Sequence, residues 1–401
     1  MYKLPEKREG EEWIVLGSEL SPFTLKVLNY FSFYEIPHRF YYAQGSFAEN
    51  VKIQLKKMSL VFGRSPLTWP KMDEQNEFPL VPFVFGPRDE ALYDSTAIAD
   101  WLETQAGLDL KRTVYPSKTS NPKLDFIQHL IDEFFDDWGL YMVHHNRWKV
   151  SCLDNDAGAR LGGELKSVIG PFGFLADSFF SNRQTRRLPY LFSVAPKGFK
   201  IDGAKRQPPS HLDFPPTHDL LEESFSRILK ALEKIFTCRP FLFGECYTLA
   251  DASVYGQLAM NLPDVSAAKW MAKDAPHTYG WLQRLANLDF SQHHDDMEPQ
   301  WNDDLQPLLE EISRVYLPLM DQNERAYLKF YAEGQRLFNE KAFWKGQAIY
   351  SGEINGVPFK SVAKSFQVST WQVIKEKFNL LSEQEQSEIA DLMPNVSLLK
   401  D

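Results

Sequence analysis

The sequence predicts an α/β unit over about its first hundred residues, an all-helical domain after it, and a helical and hairpin extension at the end. Three observations carry this. Up to Gln105, short apolar runs alternate with helix-spaced stretches in the order β-α-β-α-β-β-α. From Phe126 onward apolar residues recur at helical spacing, and Asn355-Gly356 lies between two alternating runs as a hairpin turn signal.

Trp13-Ile14-Val15-Leu16 reads as a short strand and Gly17 to Leu20 as a loop. Ser21-Pro22 opens a helix through Val27, Leu28, Tyr30 and Phe31, with proline at its first position. His38 to Ala43 alternates like a strand, and Ala48 to Met58 is expected to be helical. The third strand lies in the run Phe78 to Phe85. Pro82 cannot donate to a sheet ladder, so it marks a strand entry that leaves main-chain groups of Val81 for a ligand, and a cis Val81-Pro82 bond is expected. Asp94-Ser95 stands where alternation gives way to the helical spacing of Ile98, Trp101 and Leu102. Such a pair offers a hydroxyl, unpaired N–H groups and the positive end of a helix dipole, a set that suits a small carboxylate; a plain helix cap is the bland use of the same residues.

The α/β unit is expected over residues 1–110 and a linker with Pro116 and Pro122 over 111–125. A helical domain follows at 126–299, with a long helix from Phe126 to Trp148 and further helices at Leu220–Phe236, Leu249–Met260 and His277–Ala286. Residues 151–218, rich in glycine and proline, are expected to be part helix and part surface loop bordering a substrate pocket. In the extension, 300–401, helices are expected at Leu305–Leu319, Asn323–Phe343, Val368–Leu380 and Glu383–Leu392, with the hairpin at Ala348–Ala363. Its aromatic residues, Trp371 among them, require it to pack on the helical domain or a second subunit.

The first region resembles the thioredoxin-like N-terminal domain of glutathione transferases. Val81-Pro82 matches that family's Val-Pro element, and Asp94-Ser95-Thr96-Ala97-Ile98 its Glu/Asp-Ser-x-Ala-Ile element. Phe241-Leu242-Phe243-Gly244 followed by Thr248-Leu249-Ala250-Asp251 is similar to the signature of the family's helical domain. Thr248 and Asp251 are read as a capping box and hence structural. The resemblance spans roughly residues 13 to 290 and implies glutathione as co-substrate, bound by Val81, Pro82, Asp94 and Ser95. It also implies a homodimer that pairs each N-terminal domain with its partner's helical domain.

The same resemblance makes Ser21 the catalytic residue. Related glutaredoxin-type proteins carry Cys-x-x-Cys where this chain has Ser21-Pro22-Phe23-Thr24, which excludes dithiol exchange there. A hydroxyl that hydrogen-bonds the glutathione sulfur favours the thiolate, which then attacks a small hydrophobic electrophile. Ser18 is the alternative to Ser21, and Lys71 and His38 are candidates for the glycine end of glutathione. Arg147 is expected to neutralise one of Asp132, Asp136 and Asp137, or to reach a ligand carboxylate.

Net charge of −10 argues against nucleic acid as the partner. The absence of a long apolar run or signal core points away from the membrane and to the cytoplasm. Cys152, Cys238 and Cys246 are too few and irregular for a disulfide framework or a zinc site, and are expected to be reduced and mostly buried. No metal site is expected: His144-His145 and His293-His294-Asp295-Asp296 are read as solvated or capping groups, because helix neighbours point about 100° apart. The competing functional class is a noncatalytic transferase-like module that binds proteins.

Overall fold

The computed structural model describes residues 12–41, 45–70, 81–105, 107–116, 120–170 and 173–400. Lys71 and the segment 71–80 before Val81 lie outside them. Strands β1 (Trp13–Leu16), β2 (His38–Tyr41), β3 (Phe83–Phe85) and β4 (Ala91–Tyr93) form one sheet in the order β2-β1-β3-β4. β1 is parallel to β2 and antiparallel to β3, which is antiparallel to β4. Helix α1 (Pro22–Phe33) makes the crossover that the parallel pair requires. Alternation along β1 divides the core. Trp13 and Val15 pack with Phe31, Ile98 and Trp101 on the side of α1 and α3 (Ser95–Thr104), while Leu16 joins Phe83, Phe85 and Ile53 of α2 (Phe47–Val61). The unit is thioredoxin-like.

The all-α part begins with α4 (Pro122–Phe134), which continues without a break through a π-helical segment Phe135–Gly139, α5 (Leu140–His145) and a second π-segment Asn146–Val150. The helices α6 (Ala157–Ile169), α7 (Gly173–Arg186), α8 (His218–Phe236), α9 (Leu249–Ala259), α10 (Val265–Asp274) and α11 (Pro276–Ala286) follow. Every residue of α9 is buried, and the helix packs on α1. Gly256 makes this possible: a Cβ there would stand 2.6 Å from the Pro22 carbonyl oxygen and 2.9 Å from Lys26 Cβ. Thr248 and Asp251 form the expected capping box, with the Thr248 N–H and hydroxyl donating to Asp251 Oδ2 at 3.0 and 2.8 Å. Asp251 Oδ1 also accepts from Leu242 N at 2.9 Å, so one carboxylate ties the Phe241–Gly244 turn to the helix start.

The extension consists of α12 (Gln306–Ala332), α13 (Glu340–Trp344), the hairpin β5 (Ile349–Ile354) and β6 (Val357–Val362), α14 (Ser365–Asn379) and α15 (Glu383–Ala390). Asn355 and Gly356 have φ of 52° and 77°, the left-handed pair that a tight hairpin turn needs. The extension docks on its own helical domain. Phe378 meets Phe126 at 5.5 Å, the Tyr316 hydroxyl donates to Asp137 at 2.8 Å, and Gln367 Nε2 donates to Asp137 Oδ1 and the Tyr141 hydroxyl at 3.3 and 3.0 Å.

Three expectations change. α12 runs through Pro318 as one helix, because the buried stripe Ile312, Val315, Tyr316, Leu319, Met320 and Asn323 continues across it and packing outweighs the break. Helix α10 was not expected, having only Ala267 and Met271 buried. Among the cysteines, all free, only Cys246 is buried, while Cys238 is exposed.

Candidate functional site

The register of the sheet brings the predicted residues to one end. Leu16 pairs with Phe83, and Phe83 with Tyr93, so the loop after β1, the Val81-Pro82 entry to β3 and the Asp94-Ser95 exit from β4 emerge side by side. The Val81-Pro82 bond is cis. Asp94 takes φ 71° and ψ 125°, rare for a residue with a side chain, and its Oδ1 accepts from Thr96 N and Ala97 N at 3.1 and 2.9 Å. Asp94 is exposed, whereas Ser95 beside it is buried. The cap claims two of the N–H groups expected to be open. Ser95 keeps its own N–H and hydroxyl without a hydrogen-bond partner among the described residues.

Ser21 is the N-cap of α1, its Oγ accepting from Thr24 N at 3.4 Å, and it is half-buried. Ser18 is buried, and its Oγ accepts from Leu20 N at 3.1 Å. The two serines share one turn, since Ser21 N donates to the Ser18 carbonyl at 3.0 Å. His38 is not at this end. It pairs with Trp13 at the opposite end of the sheet, buried, with Nδ1 2.8 Å from the Ile36 carbonyl.

Beneath the Asp94–Thr96 turn lies an ionic cluster that local sequence could not show. Lys26 of α1 extends its Nζ to Asp132 Oδ1 at 2.6 Å, Asp136 Oδ2 at 2.7 Å and Thr96 Oγ1 at 2.7 Å. Asp132 also accepts from Thr96 Oγ1 at 3.0 Å and from the Ser253 hydroxyl. Burial alone would lower the lysine's pKa, but the two carboxylates hold it above its ordinary value. Burial pushes Asp136 up to about 7 against the pull of Lys26. The expected role of Arg147 is therefore corrected. Lys26 neutralises Asp132 and Asp136, Asp137 is held by the extension, and Arg147 Nε pairs with Asp264 at 2.7 Å. Arg147 also donates to the Leu20 carbonyl at 3.3 Å, so it fixes the loop before Ser21 from the helical side.

His129, Asp132 and Glu133 bring possible metal-donor atoms within 4.8 Å of one another. Both oxygens of Asp132 are already engaged by Lys26, Ser253 and Thr96. His293 is a structural group, accepting from Tyr247 N at 3.1 Å through Nδ1.

A separate open cavity of about 440 Å³ lies on the helical domain between Lys149, Cys152, Phe199, Glu222 and Trp270. None of the residues expected to bind glutathione lines it, whereas Cys152, Leu153, Phe199 and Ile201 come from the 151–218 segment expected to border a pocket. Near it, His145 bridges Ser193 Oγ at 2.7 Å and Glu222 Oε1 at 3.0 Å, and His218 lies against His145 with both ring nitrogens unpartnered among the described residues. Burial, with His145 and Lys149 nearby, pushes His218 down to about 3. The unfolded residue titrates near 6.5, so between these values the native chain binds fewer protons, and stability falls as pH falls. His218→Leu is expected to stabilise the protein by about 1 kcal/mol at neutral pH. The gain should grow as pH is lowered from 6.5 toward 3, read from urea midpoints; a gain independent of pH would contradict a neutral buried imidazole.

Residues 215–284, which contain α8, α9, α10 and most of α11, match the family model described as "Glutathione S-transferase, C-terminal domain". The chain carries a glutathione S-transferase C-terminal domain. Among solved structures it is similar to a glutathione S-transferase from Pseudomonas fluorescens, at 16% identity over 68% of this chain and 93% of that one, with a TM-score of 0.33. It is also similar to a glutathione transferase from Phanerochaete chrysosporium, at 16% identity over 69% and 97% of the two chains, with a TM-score of 0.40. No curated protein matches the chain. In this transferase domain the capping box of Thr248 and Asp251 sets the start of α9, the helix on which α1 and its Ser21 rest. No helix among the described residues is long and apolar enough to cross a membrane.

Proposed function

We propose that the protein is a glutathione transferase in which Ser21 assists formation of the glutathione thiolate for attack on a small hydrophobic electrophile. The observation that carries this reading is the Asp94-Ser95 turn. A residue with φ 71° at a helix start, followed by a buried serine whose N–H and hydroxyl have no partner among the described residues, is costly unless a ligand uses it. In this assignment Ser95 takes the γ-glutamyl carboxylate, Asp94 the adjoining ammonium, and the main chain of Val81 the cysteinyl backbone, with Pro82 fixing its direction. The sulfur then lies at the N-terminus of α1, where the helix dipole and a hydrogen bond donated by Ser21 favour its anionic form.

The thioredoxin-like unit, 1–110, supplies glutathione, the helical domain, 126–299, supplies the pocket for the electrophile, and residues 300–401 brace that domain. Phe47, Leu55, Met58 and Phe62 are exposed along α2, an apolar face that suits a homodimer. Three free thiols suit a reducing cytoplasm.

The test is the pH–rate profile of conjugation to an aryl halide. Ser21→Ala is expected to slow conjugation about a hundredfold at neutral pH and to move the thiol limb of the profile upward. If Ser21→Ala leaves rate and profile unchanged while Ser18→Ala abolishes them, the assignment passes to Ser18. Failure of the wild type to conjugate or bind glutathione would favour the noncatalytic module.

A further inference from the structure

The helical domain reaches over the loop before α1 with one carboxylate. Glu164, in α6, accepts from Glu19 N at 2.8 Å through Oε1, and the Ser18 hydroxyl also hydrogen-bonds to it. The side chain is held there by packing. Ala157 and Leu161 of α6 join Leu20, Trp148 and Leu188 in a small apolar cluster, and α6 is pressed onto α7 at Gly158, where a Cβ would stand 2.1 Å from Asp177 Oδ1. A carboxylate is an expensive choice for this contact, because a neutral amide would accept the Glu19 N–H equally well without burying charge.

We propose that Glu164 is the proton acceptor for the thiol bound at the start of α1. This rests on the glutathione reading above. The S–H bond breaks, its proton passes to a Glu164 carboxylate oxygen directly or through one water, and the electron pair stays on sulfur beside Ser21. After the thiolate has displaced the leaving group from carbon, Glu164 returns its proton to solvent. The group is suited to this. Burial pushes its pKa up to about 7, while the bonds from Ser18 and Glu19 N and the charge of Arg160 hold it down and the charge of Glu19 raises it. Of the charges on the helices packed against α6, Lys56 of α2 is committed to Asp89, Glu49 to Arg39 and Lys57 to the face of Phe83, while Asp177 of α7 is committed to Ser181 and Arg186 to the face of Trp344.

The experiment compares the full-length wild type, Glu164→Gln and Glu164→Asp with glutathione itself, following the ultraviolet absorbance of bound thiolate against pH, affinity by calorimetry, and conjugation rate. Glu164→Gln retains an acceptor for the Glu19 N–H, so a purely structural role would leave the conjugation rate and its pH profile in place. The expected result is conjugation slowed about a hundredfold at neutral pH with the acid limb near pH 7 lost from the pH–rate profile, while the thiolate titration does not move to higher pH because the amide removes a negative charge beside the sulfur; glutathione affinity changes less than about threefold and Glu164→Asp is intermediate. Bound glutathione with an unchanged conjugation rate and pH–rate profile in Glu164→Gln would overturn this role alone. A wild type that binds no glutathione would overturn the functional reading and this role with it.

Discussion

Replacing Lys26 by methionine is expected to cost the protein about 3–5 kcal/mol of stability, because it leaves the buried carboxylates of Asp132 and Asp136 without their cation. Lys26 and Thr96 come from the thioredoxin-like unit, and Asp132, Asp136 and Ser253 from the helical domain, so the cluster joins the two. The loss carries a pH signature. Without Lys26 the folded pKa of Asp136, already raised to about 7 by burial, rises further, while its unfolded value stays near 4. The native variant then binds more protons than the unfolded chain across that window, and its stability falls as pH rises through it. The deficit relative to wild type should therefore be larger at about pH 8 than at about pH 5, measured by urea unfolding. A deficit below about 1 kcal/mol at both would mean that the cluster is not a joint between the domains.

Ending the chain before residue 300 is expected to give aggregated protein. The extension covers α4, α5 and α8 with fully buried side chains, among them Leu309, Ile312, Tyr316, Trp371 and Phe378, and removing it exposes the helical faces they pack on. Each large apolar side chain of those faces returned to water, such as Phe126 beneath Phe378, costs about 1.5–3 kcal/mol, so a few of them are comparable with the whole stability of a domain. Asp137 would also lose the Tyr316 and Gln367 bonds that hold its pKa down against burial, at about 6. Size-exclusion chromatography and thermal melting of the shortened chain decide this. A soluble product that melts with the full-length protein would make the extension an independent appendage.

Much of the frame is legible locally because its signals are local. Trp13–Leu16, the Ser21-Pro22 helix start, the Asp94-Ser95 start of α3, the Thr248–Asp251 box and the Asn355-Gly356 turn each lie within a few residues of the structure they specify. What escaped depends on partners far apart in sequence. Lys26 is 106 residues from Asp132, and Glu164 is 145 residues from Glu19, so nothing beside either residue announces the pairing. Arg147 was the plausible cation for the Asp132–Asp137 run because it lies on the same helical stretch, yet its side chain points to Asp264, 117 residues on. The break expected between Leu319 and Asn323 is absent for a related reason: the buried face of α12 continues across it through Met320 and Asn323.

The central claim, that the start of α3 holds the γ-glutamyl end of glutathione, is tested most directly by titration calorimetry of glutathione into wild type and Ser95→Ala. The Ser95 hydroxyl has no hydrogen-bond partner among the described residues, and the bond that the Ser95 carbonyl accepts from the Tyr30 hydroxyl at 2.9 Å is kept in the variant. A hydrogen bond to a charged carboxylate is worth about 1.5–3 kcal/mol, so affinity should fall about ten- to a hundredfold with the melting temperature unchanged. Equal affinities for the two proteins, or no heat of binding with either, would contradict the assignment.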